Sequence, residues 1–193
     1  DLGKMVAFCL CIPGLKPDGK QYFHSHMLGV LPPYRNTGLG RRMKLAQREY
    51  ALARRIDLIE WTFDPLELKN AFFNIERLGA IARRYVHNQY GRTSSHLHGG
   101  LPTDRLIAEW WIASSRVDAI ANQRPGEPPS IEARIEVPAN ISVLVQEDAE
   151  RAREIQTRVG ERFDTYFRSG LTVVGIQKDH DSSVYLLGRW DSK

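Results

Sequence analysis

Between Tyr22 and Ile56 an extended segment ends at two prolines, passes through a glycine-containing loop and enters a long amphipathic helix, and this is the most informative stretch of the chain. Tyr22 to Leu31 reads as a strand with His24 and His26 on one face. Pro32-Pro33 must end it, because proline has no N–H to give to a ladder. From Thr37 to Ile56, Leu39, Met43, Ala46, Tyr50 and Ala53 recur at helical spacing, while Arg41, Arg42, Lys44, Gln47, Arg48 and Glu49 take the other positions. A helix start leaves amides unpaired at the positive end of its dipole, and Gly38 and Gly40 let backbone approach a bulky anion closely, so this joint is suited to phosphate. It lacks the three glycines and acidic partner of a dinucleotide turn, and it lacks the longer Walker pattern.

The flanking segments extend the alternation. Met5 to Ile12 reads as a strand ended by Pro13-Gly14, Asp57 to Phe63 as a buried strand, and Leu66 to Leu78 as a second helix closed by Gly79. Ala80 to Val86 and Arg105 to Ile112 are further strands, separated by a loop rich in Gly, Ser and His. Residues 115–130 read as a loop, followed by a strand over Ile131 to Val137, one helix whose stripe runs from Val145 to Phe167, and a hairpin of Thr172 to Gln177 with Ser183 to Gly188. The fold class expected is α+β, a central mixed sheet flanked by helices: a core over 1–114 and a C-terminal strand, helix and hairpin extension over 115–193, packed on the core.

With 193 residues, 42% of them hydrophobic, the chain can bury a core without staples. A net charge of +4 without any long run of like charge is short of a nucleic-acid-binding tail. No run reaches the roughly 18 apolar residues of a membrane span, so a soluble, cytoplasmic protein is expected, with no membrane partner. Cys9 and Cys11, two apart in an apolar stretch, read as buried thiols of a reducing compartment.

The segment Arg35-Asn36-Thr37-Gly38-Leu39-Gly40, preceded by Val30-Leu31-Pro32-Pro33-Tyr34, resembles the R-x-x-G-x-G motif and lead-in of the GNAT acyltransferase superfamily. The order around it is similar too: two strands before, a long helix and a buried strand after, then Asn70-Ala71 leading into Arg77-Leu78-Gly79. The resemblance covers roughly residues 4–114, and the phrases WTFDPL, NAFFNIERLGA and GLPTDR resemble a GNAT branch with a C-terminal extension. It implies an acyl-CoA co-substrate, acetyl-CoA by default, and transfer of the acyl group directly to an amine. Amides from Arg35, Asn36, Thr37, Gly38, Leu39 and Gly40 would hold the pyrophosphate, the backbone of Leu28, Gly29 and Val30 would pair with the pantetheine arm, and Arg41 or Arg42 would reach a phosphate. Asn70 and Asn74, four apart on one helix face, would hydrogen-bond the pantetheine or the acceptor. The family core begins with a strand and two helices for which no sequence precedes Lys4, so a missing N-terminal part and an open sheet edge that favours a homodimer are expected.

Departures from the family pattern lie at the catalytic positions. Many members place a tyrosine four residues before the glycine that closes the second helix; that position is Ile75, leaving Tyr85 or Tyr90 as substitutes for protonating the departing thiolate. Where the histone-modifying branch has a carboxylate on the strand before the loop, this chain has His24; Glu60 is a second candidate base, with pairing to an arginine as its alternative role. The pairs His24/His26 and His96/His98 lack the further ligands of a zinc site, and no metal is expected. Trp110 and Trp111 should point to opposite sheet faces, one into the core. The acceptor expected is a small-molecule amine or an amino acid; a donor such as succinyl-CoA would use basic residues near the pocket. The competing readings are a degenerate GNAT module that binds CoA or a partner without turnover, and nucleic-acid binding through a basic face.

Overall fold

A computed structural model describes residues 3–91 and 101–191; His96 and His98 lie outside the described residues. Eight strands form one mixed sheet: β1 (Ala7–Leu15), β2 (Gln21–Val30), β3 (Leu58–Phe63), β4 (Ile81–Val86), β5 (Arg105–Trp111), β6 (Ala133–Pro138), β7 (Thr172–Lys178) and β8 (Ser182–Gly188). Their spatial order is β1-β2-β3-β5-β4-β7-β8-β6. β2 and β3 are parallel, while β5 lies antiparallel between β3 and β4. Helix α1 (Leu39–Leu52) connects β2 to β3, and α2 (Leu68–Phe72), continued by a wider turn over Phe73–Arg77, connects β3 to β4. Each joins parallel strands and both advance in the same direction along the sheet, so under the right-handed rule for such crossovers both helices cover one face.

β1 continues through Pro13 and Gly14 rather than stopping there, because on an edge strand a missing N–H faces no partner. The helix expected from Leu66 to Leu78 is instead a short α-helix joined to a π-turn, and Gly79, at φ 78°, closes it as expected. The stretch read as loop contains α3 (Ser115–Ala121), whose first turn is capped by the Ser114 hydroxyl accepting from Val117 N–H. The single helix expected around Val145 to Phe167 is two, α4 (Ile141–Glu147) and α5 (Ala149–Arg168), with Asp148 between them accepting from Arg151 N–H.

The C-terminal strands continue the core sheet. Ala82 of β4 pairs with Val173 of β7, and the Glu76 carboxylate accepts the Ile176 N–H. Phe163 of α5 stacks on Tyr85 at 5.6 Å and meets Tyr185 edge-on at 5.2 Å. Gly160 permits this approach, since a Cβ there would lie 3.0 Å from the Tyr85 oxygen. Ile75, Ala80, Leu106 and Trp110 thus share one hydrophobic cluster with Ile135, Val173 and Leu187. At the other end, β1 leaves Phe8, Leu10 and Ile12 42–45% exposed on the side away from α1. Among the described residues no helix is long and apolar enough to cross a membrane.

Candidate active site

The site begins with a register change. Leu10 pairs with Met27 but Cys11 pairs with Ser25, so His26 is an extra residue in β2. Such a bulge bends and twists its strand. Pairing with β3 is limited to Phe23 with Ile59 and His24 with Glu60, and beyond His24 the two strands diverge. The gap is a cleft of about 350 Å³ bordered by Leu28, Thr62, Asn70, Asn74 and Tyr90, among others. Alternation along a strand sends Ser25 and Trp61 toward the helix-covered face and His24 and Thr62 toward the other. Residues of both sets line the cleft, so it passes between the strands from one face to the other.

On the helix side, Lys44 of α1 is buried, 3% exposed. Its ammonium donates to Ser25 Oγ at 2.8 Å and to Gln47 Oε1 at 3.2 Å, and lies 3.6 Å from the centre of the Trp61 ring. Burial lowers its pKa to about 8, with the neighbouring Cys9 and Cys11 acting weakly the other way. Among the described residues no carboxylate pairs with it. Trp61 Nε1–H donates to Asn74 Oδ1 at 3.3 Å, which leaves the buried Asn74 Nδ2 without an acceptor. Asn70 also lines the cleft. An unpaired buried amide costs about 1–3 kcal/mol, and a ligand carbonyl in the cleft would satisfy it.

Sequence periodicity placed Lys44 and Gln47 on the solvated side of α1. They are instead buried with Ala51, whereas Tyr50 is exposed. The lysine stem crosses the Trp61 ring and its head finds polar partners, a combination no hydrophobicity pattern registers.

Next to the cleft, the loop from Leu31 to Gly38 turns through a short 3-10 segment, Pro32–Tyr34. Arg35 Nε–H donates back to Val30 O at 3.2 Å, and the Thr37 hydroxyl to Tyr34 O at 2.7 Å. Asn36 at φ 61° and Gly38 at φ 82° are left-handed, which swings the chain into α1 with no side-chain cap on its first turn. A Cβ on Gly38 or Gly40 would meet nothing within 4 Å, so the backbone of this turn is open to an approaching group. The free first-turn amides of Leu39, Gly40 and Arg41 therefore offer donors for a phosphate. Gly29 has a different constraint, since a Cβ there would sit 2.5 Å from the Phe8 ring. Arg41, expected at a phosphate, donates instead to Ile120 O and Ala121 O and so ties α1 to the end of α3.

On the opposite face His24 lies in register with Glu60. Burial, followed by the nearby His26, lowers the His24 pKa, so its ring is neutral at pH 7. Glu60, considered as a base, accepts from Lys16 Nζ at 2.6 Å and is paired with Arg84. Arg84 also reaches Glu109, which pairs with Arg83. This network and Trp111 border a shallow basin of about 470 Å³, while Trp110 is in the core, as expected of adjacent strand positions. Tyr85, considered as an acid, is packed on α5 and donates to Asp104 Oδ2 at 2.7 Å; burial and that bond hold its pKa far above the usual tyrosine range. It does not line the cleft. Tyr90 does, with its hydroxyl 2.9 Å from Thr62 Oγ1.

Among solved structures the chain is similar to Arabidopsis thaliana Naa50 in complex with the bisubstrate analogue CoA-Ac-MVNAL, at 19% identity and TM-score 0.43 over 54% of this chain and 64% of that one. It is also similar to Chaetomium thermophilum Naa20 in complex with a bisubstrate analogue, at 16% identity and TM-score 0.45 over 63% and 65% of the two chains. A third is Arabidopsis thaliana NAA60 in complex with acetyl-CoA, at 12% identity and TM-score 0.46 over 56% and 67%. The chain thus spans less than two thirds of the length of Naa50. No family model and no curated protein matches the chain. The architecture itself, a mixed sheet flanked by helices, is the α+β class expected from the sequence.

Proposed function

We propose that the chain is an acyl-CoA-dependent N-acyltransferase. The observation that carries this reading is the bulge at His26, which opens a passage through the sheet beside an uncapped helix start. The loop amides from Arg35 to Gly40 would hold the CoA pyrophosphate, the backbone of Leu28, Gly29 and Val30 would run beside the pantetheine, and Asn70 would meet its amides. Bound acyl-CoA supplies the activated carbonyl. The neutral His24 imidazole accepts a proton from the acceptor ammonium, freeing the lone pair that forms the new C–N bond as the C–S bond breaks. Tyr90, which lines the cleft, would in place of Tyr85 return a proton to the departing thiolate.

The acceptor amine approaches from the face that carries His24, across the basin bordered by Lys16, Arg84 and Trp111. Paired charges of both signs there suit a zwitterionic amine, such as an amino acid or a short peptide. The test is thiol release from acetyl-CoA with a panel of amino acids, small amines and short peptides, beside CoA titration of the wild type and of Gly38→Glu/Gly40→Glu. Turnover together with binding lost in the variant is expected. Binding without turnover would favour a non-catalytic CoA-binding module, and no CoA binding by the folded protein would refute the reading.

A further inference from the structure

The reaction sketched above uses His24 and Tyr90 but leaves Lys44 and the orphaned Asn74 amide unexplained. Both project from the helix-covered side, and Trp61 joins them: its face lies under the Lys44 ammonium and its N–H is bonded to Asn74 Oδ1. Lys44 is held by two neutral oxygens and a π face, so its charge has no counter-charge among the described residues. Cys9 does not supply one, since burial raises its pKa and keeps it a thiol at neutral pH. A buried cation without an anion, beside a buried donor without an acceptor, on the wall of a cleft, defines a place for a carboxylate.

We propose that Lys44 and Asn74 select an acyl donor whose chain ends in a carboxylate, a short dicarboxylyl-CoA of the succinyl class, by receiving that carboxylate on the α1 side of the cleft. This rests on the acyltransferase reading and extends it to the donor. The thioester carbonyl would occupy the gap between β2 and β3, with the acceptor on the His24 side and the acyl tail directed at Lys44. An uncharged chain of equal length would fill the same space but leave the Lys44 charge without a counter-charge and the Asn74 amide without an acceptor, which is a strong basis for discrimination.

The experiment is isothermal titration of the full chain with succinyl-CoA, butyryl-CoA, acetyl-CoA and free CoA, with Lys44→Met in parallel. Wild type should bind succinyl-CoA at least about tenfold more tightly than butyryl-CoA, the factor expected of one charge-assisted contact. Lys44→Met should bring the two donors together while free CoA binds unchanged. A second readout needs no variant: the carboxylate should return Lys44 to its charged form. At pH 8 succinyl-CoA should therefore take up about half a proton in buffers of different ionisation heat, and butyryl-CoA none. The titratable groups beside Lys44 are Cys9 and Cys11 from β1, and His24 and His26 of β2 line the same cleft; a proton uptake that persists in Lys44→Met would belong to one of these and would count against the assignment. Butyryl-CoA bound as tightly as succinyl-CoA, with free CoA still bound, would overturn the donor proposal and leave the acyltransferase reading standing. Failure of every CoA species to bind would overturn both.

Discussion

Lys44 shows how a site residue is recorded in stability. Its folded pKa of about 8 is below the ordinary value of 10.5, so between those pH values the unfolded chain binds more protons and stability must rise with pH. Below pH 8 the depressed group costs stability in full; above pH 10.5 the cost is gone. Urea unfolding of wild type and Lys44→Met from pH 7 to 10.5 should show the difference moving by about 3 kcal/mol in favour of wild type, and a flat difference would mean that the lysine is solvated. The linkage at His24 acts on rate: because its pKa is lowered from 6.5, the acid limb of kcat/KM should fall below pH 6.5 and vanish from the residual activity of His24→Gln. Glu60→Gln is expected to be chiefly a stability lesion. It leaves the half-exposed Arg84 and the Lys16 ammonium without their shared carboxylate, at a cost of about 1–3 kcal/mol measurable by thermal melting.

At the scale of elements, the bulge in β2 is the device on which the cleft depends. Deleting His26 would let Leu10, Cys11 and their partners pair in one register and extend the contact of β2 with β3. The shortened chain is expected to fold with unchanged far-ultraviolet circular dichroism but to lose CoA binding; retained binding would dissociate cleft from bulge. At Gly29 of the β1–β2 ribbon an alanine methyl would meet the Phe8 ring, which is half-exposed on the edge strand and would have to turn aside. Much of this layer was legible beforehand. The proline stop, the glycine loop, the order of strands and helices and the closing hairpin are local patterns, and they appear in the structure nearly where periodicity puts them. The bulge left no trace because it is a mismatch between two strands, and neither strand alone encodes it. The carbonyls that engage Arg41 belong to α3, and no sequence pattern reveals them: a seven-residue helix after Ser114 has too few turns to declare a period. The packing of Tyr85 is hidden for a related reason, since its partner Phe163 is distant in sequence.

For the whole molecule, the sheet and its single apolar cluster span both halves of the chain, so unfolding should be one event. Fluorescence of Trp61 and Trp110 in the first half and backbone circular dichroism should give coincident urea transitions, and a chain ended at Ser130 should lose that cooperativity. The junction also has a temporal side. Ala82 and Val173 are about ninety residues apart, so at about 5–20 residues per second a ribosome would expose β4 for some 5–20 s before β7 exists to pair with it. During that interval the edge strand displays the consecutive charges Arg83 and Arg84, the kind of residues that keep a waiting strand from joining the wrong neighbour.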